Sequence, residues 1–289
     1  MTDKDQKKDK DSVTGIETTG HEWDGIRELN NPAPRWWLWV FYVTIIWAIG
    51  YWVFYPTWPT IENATKGRLG WTEYKQLAAG QEEIHQRQIK FIDRIKTVSL
   101  QEISRDPELY EFAKHGGEVA FKNNCTACHG TGAAGGKGYP NLNDDDWLWG
   151  GRVEDIYTTI SYGIRSGDDN THLSMMPAFG TDGLLKPDEI SDVAGHVLSL
   201  SGKARPNENG VRIFQQQCSA CHGKEGRGDP SVGAPNLTDA IWLYGGDKNS
   251  IVYTITHARN SVMPHWQDKL GDTTIKELAI YVHSLGGGK

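Results

Sequence analysis

Cysteine is scarce in this 289-residue chain: there are four, and all lie in two short runs, Cys125-Thr-Ala-Cys128-His129 and Cys218-Ser-Ala-Cys221-His222. That scarcity makes two structural disulfides a minor reading, because a Cys-x-x-Cys disulfide closes a tiny loop and stabilises little. It also argues against a Cys₄ zinc site, whose two pairs would stand far apart in the chain with an unexplained histidine after each. Methionine is rare as well, with only Met175, Met176 and Met263 beyond Met1. Positive charge is in deficit: 30 Lys and Arg against 37 Asp and Glu leave a net charge of −7, which excludes a general attraction to nucleic acid. No Ser/His/Asp set, paired carboxylate or phosphate-cradling glycine loop stands in a usable context, so acid/base catalysis by this chain is not expected. Long apolar runs are absent except for one.

What is present starts from the cysteine runs. Cys-x-x-Cys-His is the attachment signature of covalent c-type haem. Two cysteines three apart lie on one face of a short helical turn, where both thiols can bond one porphyrin while the next histidine reaches the iron. Cys125, Cys128, Cys218 and Cys221 are therefore the expected attachment residues for two haem c groups, with His129 and His222 as iron ligands. The sixth ligands are sought among the rare methionines. Ser174-Met175-Met176-Pro177 in the first half matches Ser261-Val262-Met263-Pro264 in the second, with Phe179 and Trp266 coinciding behind them. A lone methionine is more often packing. One recurring at the same place in each half points to Met176 and Met263 as axial ligands, with Met175 in reserve. His/Met ligation raises the reduction potential and leaves no open position, which suits electron transfer rather than binding of oxygen or peroxide. Spacing leaves open which methionine serves which iron: pairing within each half is the default, and exchange between the halves is the alternative.

The repeat extends beyond the ligands. Gly117 to Phe121 recurs as Gly210 to Phe214, Pro140-Asn141-Leu142 as Pro235-Asn236-Leu237, and Trp147-Leu-Trp149-Gly150-Gly151 as Trp242-Leu-Tyr244-Gly245-Gly246. Each half closes on an amphipathic pattern, Val193 to Leu200 and Leu278 to Leu285. The expected fold is all-α, with two tandem class I cytochrome c domains over 108–202 and 203–289. Trp147 and Trp242 are candidates for an N–H bond to a haem propionate or for plain aromatic packing, and Arg165 and Arg259 for propionate pairing or a solvated surface. His172 and His265 flank the methionines without a counterpart in the other half and are read as surface or supporting residues.

The single apolar run, Trp36 to Tyr55, has no charge and spans roughly 30 Å as a helix. Tryptophan and tyrosine crowd both its ends. It lacks the short apolar core and small-residue cleavage site of a secretory signal, so the expectation is an uncleaved transmembrane helix over 36–55. Thioether attachment places the haem domains outside the bacterial inner membrane and the 1–35 tail in the cytoplasm. The tail to about Gly20 alternates Lys and Asp and is expected to be disordered, while Trp23 to Arg35 looks ordered. Residues 56–107 are expected to form a periplasmic linker, with a helical pattern through Ile84, Ile89, Ile92, Ile95 and Val98 that caps the first haem domain.

One combination is more specific than the haem runs: Asp24-Gly25-Ile26, Glu28-Leu29, Asn31-Pro32-x-Pro34-Arg35-Trp36-Trp37, one aromatic-rich anchor and two tandem cytochrome c domains. Over nearly the whole chain it resembles the dihaem subunit III (CcoP or FixP) of cbb3-type cytochrome c oxidases. The resemblance implies a subunit of a proton-translocating terminal oxidase that takes electrons from periplasmic cytochrome c. It would pass them to a monohaem cytochrome c subunit and on to the haem-copper catalytic subunit that reduces oxygen to water. Other readings are a free-standing anchored dihaem carrier, a dihaem peroxidase, and the cytochrome subunit of a periplasmic dehydrogenase.

Overall fold

The structure is a computed structural model that describes residues 9–287, and its contacts divide into two units, Met1–His85 and Gln86–Lys289. It is helical apart from one small hairpin.

In the first unit, β1 (Thr18–Trp23) pairs antiparallel with β2 (Ile26–Leu29), with Trp23 opposite Ile26 and Glu22 opposite Arg27. The turn is Asp24-Gly25, with φ of +46° and +86°. Two positive φ values in a two-residue turn are what a tight hairpin needs, and Asp-Gly accepts them at low cost. Disorder as far as Gly20 is therefore not what the structure has. Thr18 is buried, and Asp11 organises the preceding turn by accepting from the N–H and hydroxyl of Thr14, both at 2.7 Å. The rest of that expectation, residues 1–8, lies outside the described residues.

Pro34 leads into α1 (Arg35–Phe54), and its fixed φ suits a helix start. No residue of α1 is buried, and the helix is long and apolar enough to cross a bilayer. Its one hydroxyl from threonine, Thr44, donates to the Phe41 carbonyl at 2.7 Å, which satisfies it within the apolar stretch. The chain then returns to close the helix end. Arg68 and Leu69 donate main-chain N–H groups to Val53 and Phe54. Gly67 makes that approach possible: its φ is +63°, and a Cβ there would stand 2.4 Å from the Phe54 carbonyl oxygen.

The helix α2 (Glu73–Thr97) crosses the division between the units. Only its last turns enter a core: Ile95 is fully buried, Phe91 stacks on Phe112 at 4.8 Å, and Ile84 stays 56% exposed. The sequence pattern is thus a capping segment at its C-terminal end alone. Then follow α3 (Leu100–Arg105), α4 (Pro107–Asn124), α5 (Thr126–His129), α6 (Val153–Tyr162), α7 (Pro187–Leu200), α8 (Glu208–Gln217), α9 (Ser219–His222), α10 (Lys248–His257) and α11 (Gln267–His283). Ser99 and Glu102 form a capping box on α3, and Asp106 caps α4 by accepting from the N–H groups of Glu108 and Leu109.

Packing cuts across the division at 202/203 that the repeat suggests. One core joins Leu109, Phe121, Ile156 and Ile160 of the first half to Ile275, Leu278, Ile280 and Val282 of α11. The other joins Phe179, Ile190 and Val193 from the first half to Ile213, Phe214, Ile251 and Ile255 of the second. Each half has given its last helix to the other, so that α11 lies on α4 and α6 while α7 lies on α8 and α10. Polar ties follow the same exchange. Tyr157 donates to Asp272 at 2.6 Å, Trp147 Nε1 donates to the Gly287 carbonyl at 2.6 Å, and Lys276 Nζ donates to the carbonyls of Ile95 and Val98 at 3.1 and 3.3 Å.

Candidate haem-binding sites

Both cysteine runs fold the same way because each is the turn that ends a buried helix. Cys125 closes α4 and opens α5, with the N–H groups of Cys128 and His129 both donating to its carbonyl at 3.2 and 2.9 Å. Cys218 does the same for Cys221 and His222 at 3.2 and 3.0 Å. The first cysteine of each run is half-buried against its core and the second is exposed, and none is in a disulfide. Among the described residues no group of His, Cys, Asp and Glu side chains is arranged to hold a bare metal ion.

The two histidines are held alike. His129 Nδ1 lies 3.2 Å from the Pro140 carbonyl and His222 Nδ1 lies 3.1 Å from the Pro235 carbonyl. A carbonyl can only accept, so each Nδ1 carries the proton and each Nε2 keeps its lone pair, the state in which imidazole ligates a metal. Burial pushes both imidazoles below their ordinary pKa, which keeps them neutral. Burial also pushes the Cys125 and Cys218 thiols up to about 11, so neither is an activated thiolate. The recurring Pro-Asn-Leu segments are thereby explained, since their prolines supply the carbonyls that aim the two histidines.

The methionines follow the exchanged helices. Met263 packs against the core that carries Cys125, and Met176 against the core that carries Cys218. Trp266, just after Met263, donates its N–H to the Ile160 carbonyl at the end of α6. Gly180 and Thr181, just after Met176, donate to the Thr256 carbonyl at the end of α10. Met175 is 65% exposed and packs in neither core.

The other candidates separate by half. Trp242 Nε1 and Arg259 Nε are buried donors with no hydrogen-bond partner among the described residues, while the Arg259 guanidinium lies 4.7 and 4.5 Å from the Tyr244 and Tyr253 rings. A buried donor without an acceptor is costly, and two of them in one half fit the anionic edge of a porphyrin. Trp147 is different, its N–H being used by the Gly287 carbonyl. Arg165 reaches two main-chain carbonyls, Ser261 and Ser174, each at 2.8 Å. His172 stacks on Trp149 at 4.1 Å and pairs with the Thr159 hydroxyl, and His265 lies 3.7 Å from Asp268. The donor set of two thiols, one aimed imidazole and one packed thioether per core therefore fits c-type haem. The role of Arg165 and the exchange of helices had no signature in the motifs. The short link from Leu200 to Glu208 does carry a signal, since brief connections make antiparallel neighbours of the helices they join.

Three family models match the chain in order. Residues 15–62 match the N-terminal domain of cytochrome oxidase-cbb3, FixP; residues 113–201 match cytochrome c; and residues 205–282 match cytochrome c oxidase, cbb3-type, subunit III. Among similar proteins, the cbb3-type cytochrome c oxidase subunit FixP of Bradyrhizobium sp. (strain ORS 278) is 53% identical over 283 residues, covering 96% of this chain and 98% of that protein. The subunit CcoP of Cereibacter sphaeroides is 50% identical over 276 residues, covering 94% and 95%. The subunit CcoP of Azospirillum brasilense is 47% identical over 293 residues, covering 98% and 99%.

Proposed function

The chain belongs to the FixP/CcoP family of cbb3-type cytochrome c oxidase subunits, and from that premise we propose that it is the dihaem relay of such an oxidase, held at the membrane by α1. In this reading Cys125, Cys128 and His129 hold one haem c and Cys218, Cys221 and His222 the other. Met263 would supply a thioether to the iron at the first site and Met176 at the second. The observation that carries the reading is the seating of each methionine in the core whose histidine is aimed by a proline carbonyl. Haem c supplies a one-electron couple at the iron, and a thioether ligand sets it at high potential.

The protein's own residues supply the rest. Pro140 and Pro235 fix the imidazole tautomer, and the two apolar cores keep water from the ligand side. Trp242 and Arg259 offer N–H groups to the propionate edge. With histidine and methionine both given to each iron in this reading, the chain's part is electron transfer. In this reading residues 86–289 lie on the periplasmic side of a bacterial inner membrane and the residues before α1 in the cytoplasm, which the need of thioether attachment for an oxidising space supports, and a periplasmic cytochrome c is the donor. The acceptors are a monohaem cytochrome c subunit and then the haem-copper subunit that reduces oxygen to water.

Gentle solubilisation from the native membrane tests this. The chain is expected to migrate with b-type haem, copper and oxygen uptake driven by reduced cytochrome c. Recovery as an isolated dihaem protein, with normal oxidase activity left behind, would overturn the reading in favour of a free-standing carrier.

A further inference from the structure

The main-chain groups of each methionine are held by the other half. Both main-chain groups of Met263 bond to Ile164: the Met263 N–H donates to the Ile164 carbonyl at 3.0 Å, and the Ile164 N–H donates to the Met263 carbonyl at 2.9 Å. Both main-chain groups of Met176 bond to the Asn260 side chain: Oδ1 accepts from the Met176 N–H and Nδ2 donates to the Met176 carbonyl, each at 3.2 Å. Gly163 lets the first contact close, since a Cβ there would stand 2.4 Å from the Met263 carbonyl oxygen.

Arg165 ties the two loops together. Its Nε donates to the Ser261 carbonyl and its Nη1 to the Ser174 carbonyl, and these serines stand two residues before Met263 and Met176 respectively. The guanidinium is a rigid planar fork, so the separation of the two carbonyls is set by one group. Arg165 also sits at φ +49°, a left-handed conformation that is unfavourable for a non-glycine residue. Its own N–H is held by the His172 carbonyl at 2.8 Å. A methionine side chain is flexible and its thioether is a neutral, weak partner. Where its sulfur stands therefore depends on how firmly its main chain is fixed.

We propose that Arg165 and Asn260 are positioning residues: Asn260 fixes the main chain of Met176, and Arg165 couples the Met176 and Met263 loops, so that one guanidinium positions the thioethers offered to both haem irons. The inference rests on the ligand assignment proposed above. Asn260 acts on Met176 alone, and Arg165 acts on both loops.

The test uses the full chain carrying its haems, with potentiometric titration of each haem and the far-red thioether-to-iron charge-transfer band as readouts. Covalent haem content and far-ultraviolet circular dichroism identify folded variants. Met176→Ala and Met263→Ala are each expected to remove about half of the band, because each empties one of two sites. Asn260→Ala is expected to lower the potential of the Cys218-attached haem only, and Asn260→Asp, which keeps an acceptor for the Met176 N–H, to restore part of it. Arg165→Gln is expected to lower both potentials and weaken the whole band, and Arg165→Lys, with one ammonium in place of the fork, to fail to rescue. If either methionine variant leaves the band intact, the ligand assignment is wrong. If both halve it while Arg165→Gln moves one potential or none, the assignment stands and the coupling is wrong.

Discussion

Gly117 of α4 and Glu277 of α11 touch so closely that a Cβ on Gly117 would stand 2.1 Å from the Glu277 carbonyl oxygen. Gly210, its counterpart in the repeat, meets Asp192 of α7 in the same manner at 2.3 Å. These two glycines are where each half receives the other's last helix. Gly117→Ala and Gly210→Ala are expected to destabilise the protein by about 1–3 kcal/mol each through overpacking, read as a lowered thermal midpoint. Gly117→Ala should disturb the site that contains Met263, and Gly210→Ala the site that contains Met176. Equal disturbance of both sites by either change would contradict the exchanged packing.

Met175 and Met176 are neighbours in sequence with different surroundings. Met175→Ala removes an exposed side chain and is expected to leave the spectrum unchanged and the stability within about 0.5 kcal/mol of the parent. Met176→Ala removes a residue packed on the second core and is expected to abolish the thioether band of the Cys218-attached haem. Visible and near-infrared spectra of the two single variants check the pair.

The sequence makes the chemistry of the sites readable and leaves their assembly hidden. Cys-x-x-Cys-His declares itself because thioether attachment needs that spacing, and Met176 and Met263 stand out because methionine is so rare. The apolar run is equally plain: α1 begins and ends within one residue of the expected span. Which core receives which helix is not readable from periodicity, since α7 and α11 present the same apolar pattern and either pairing buries it. The decision lies in particulars such as the short link before Glu208, the bare surfaces of Gly117 and Gly210, and the Gly163 contact with Met263. The hairpin is hidden for a related reason. Asp24-Gly25 is a strong turn signal, but the charged composition of the preceding tail points the other way.

The Glu277 carboxyl lies over Gly116, and burial pushes its pKa from 4.5 up to about 7. A raised carboxylate pKa means that the folded protein binds more protons than the unfolded chain between those two values. Stability therefore falls as pH rises across that window and levels off above it. Glu277→Gln is expected to flatten this dependence and to gain on the order of 1–3 kcal/mol above pH 7. Denaturant titrations at several pH values decide it, and an unchanged slope in the variant would assign the dependence to other groups.

Trp242 and Trp147 occupy matched positions and differ in partner: the buried Trp242 N–H has none among the described residues, and the Trp147 N–H has the Gly287 carbonyl. Trp242→Phe is expected to shift the potential of the Cys218-attached haem by roughly 40 mV, the equivalent of about 1 kcal/mol of one hydrogen bond for one electron. Trp147→Phe should instead loosen the C-terminal segment at Gly287, seen as faster amide exchange there, and leave that potential unchanged. A shift of the same size in both variants would count against the asymmetry.

Because α11 is the lid of the core begun by α4, the Cys125 segment is made first and enclosed last. Its contacts span most of the cytochrome region, as Trp147 with Gly287 and Tyr157 with Asp272 illustrate. Until residue 283 has been made the Cys125 core lacks that cover, whereas α7 precedes the Cys218 run in the chain. Pairings this distant in sequence form late. Any shortening of the chain that removes α11 thus strips the cover from the earlier site while leaving the later one its helix.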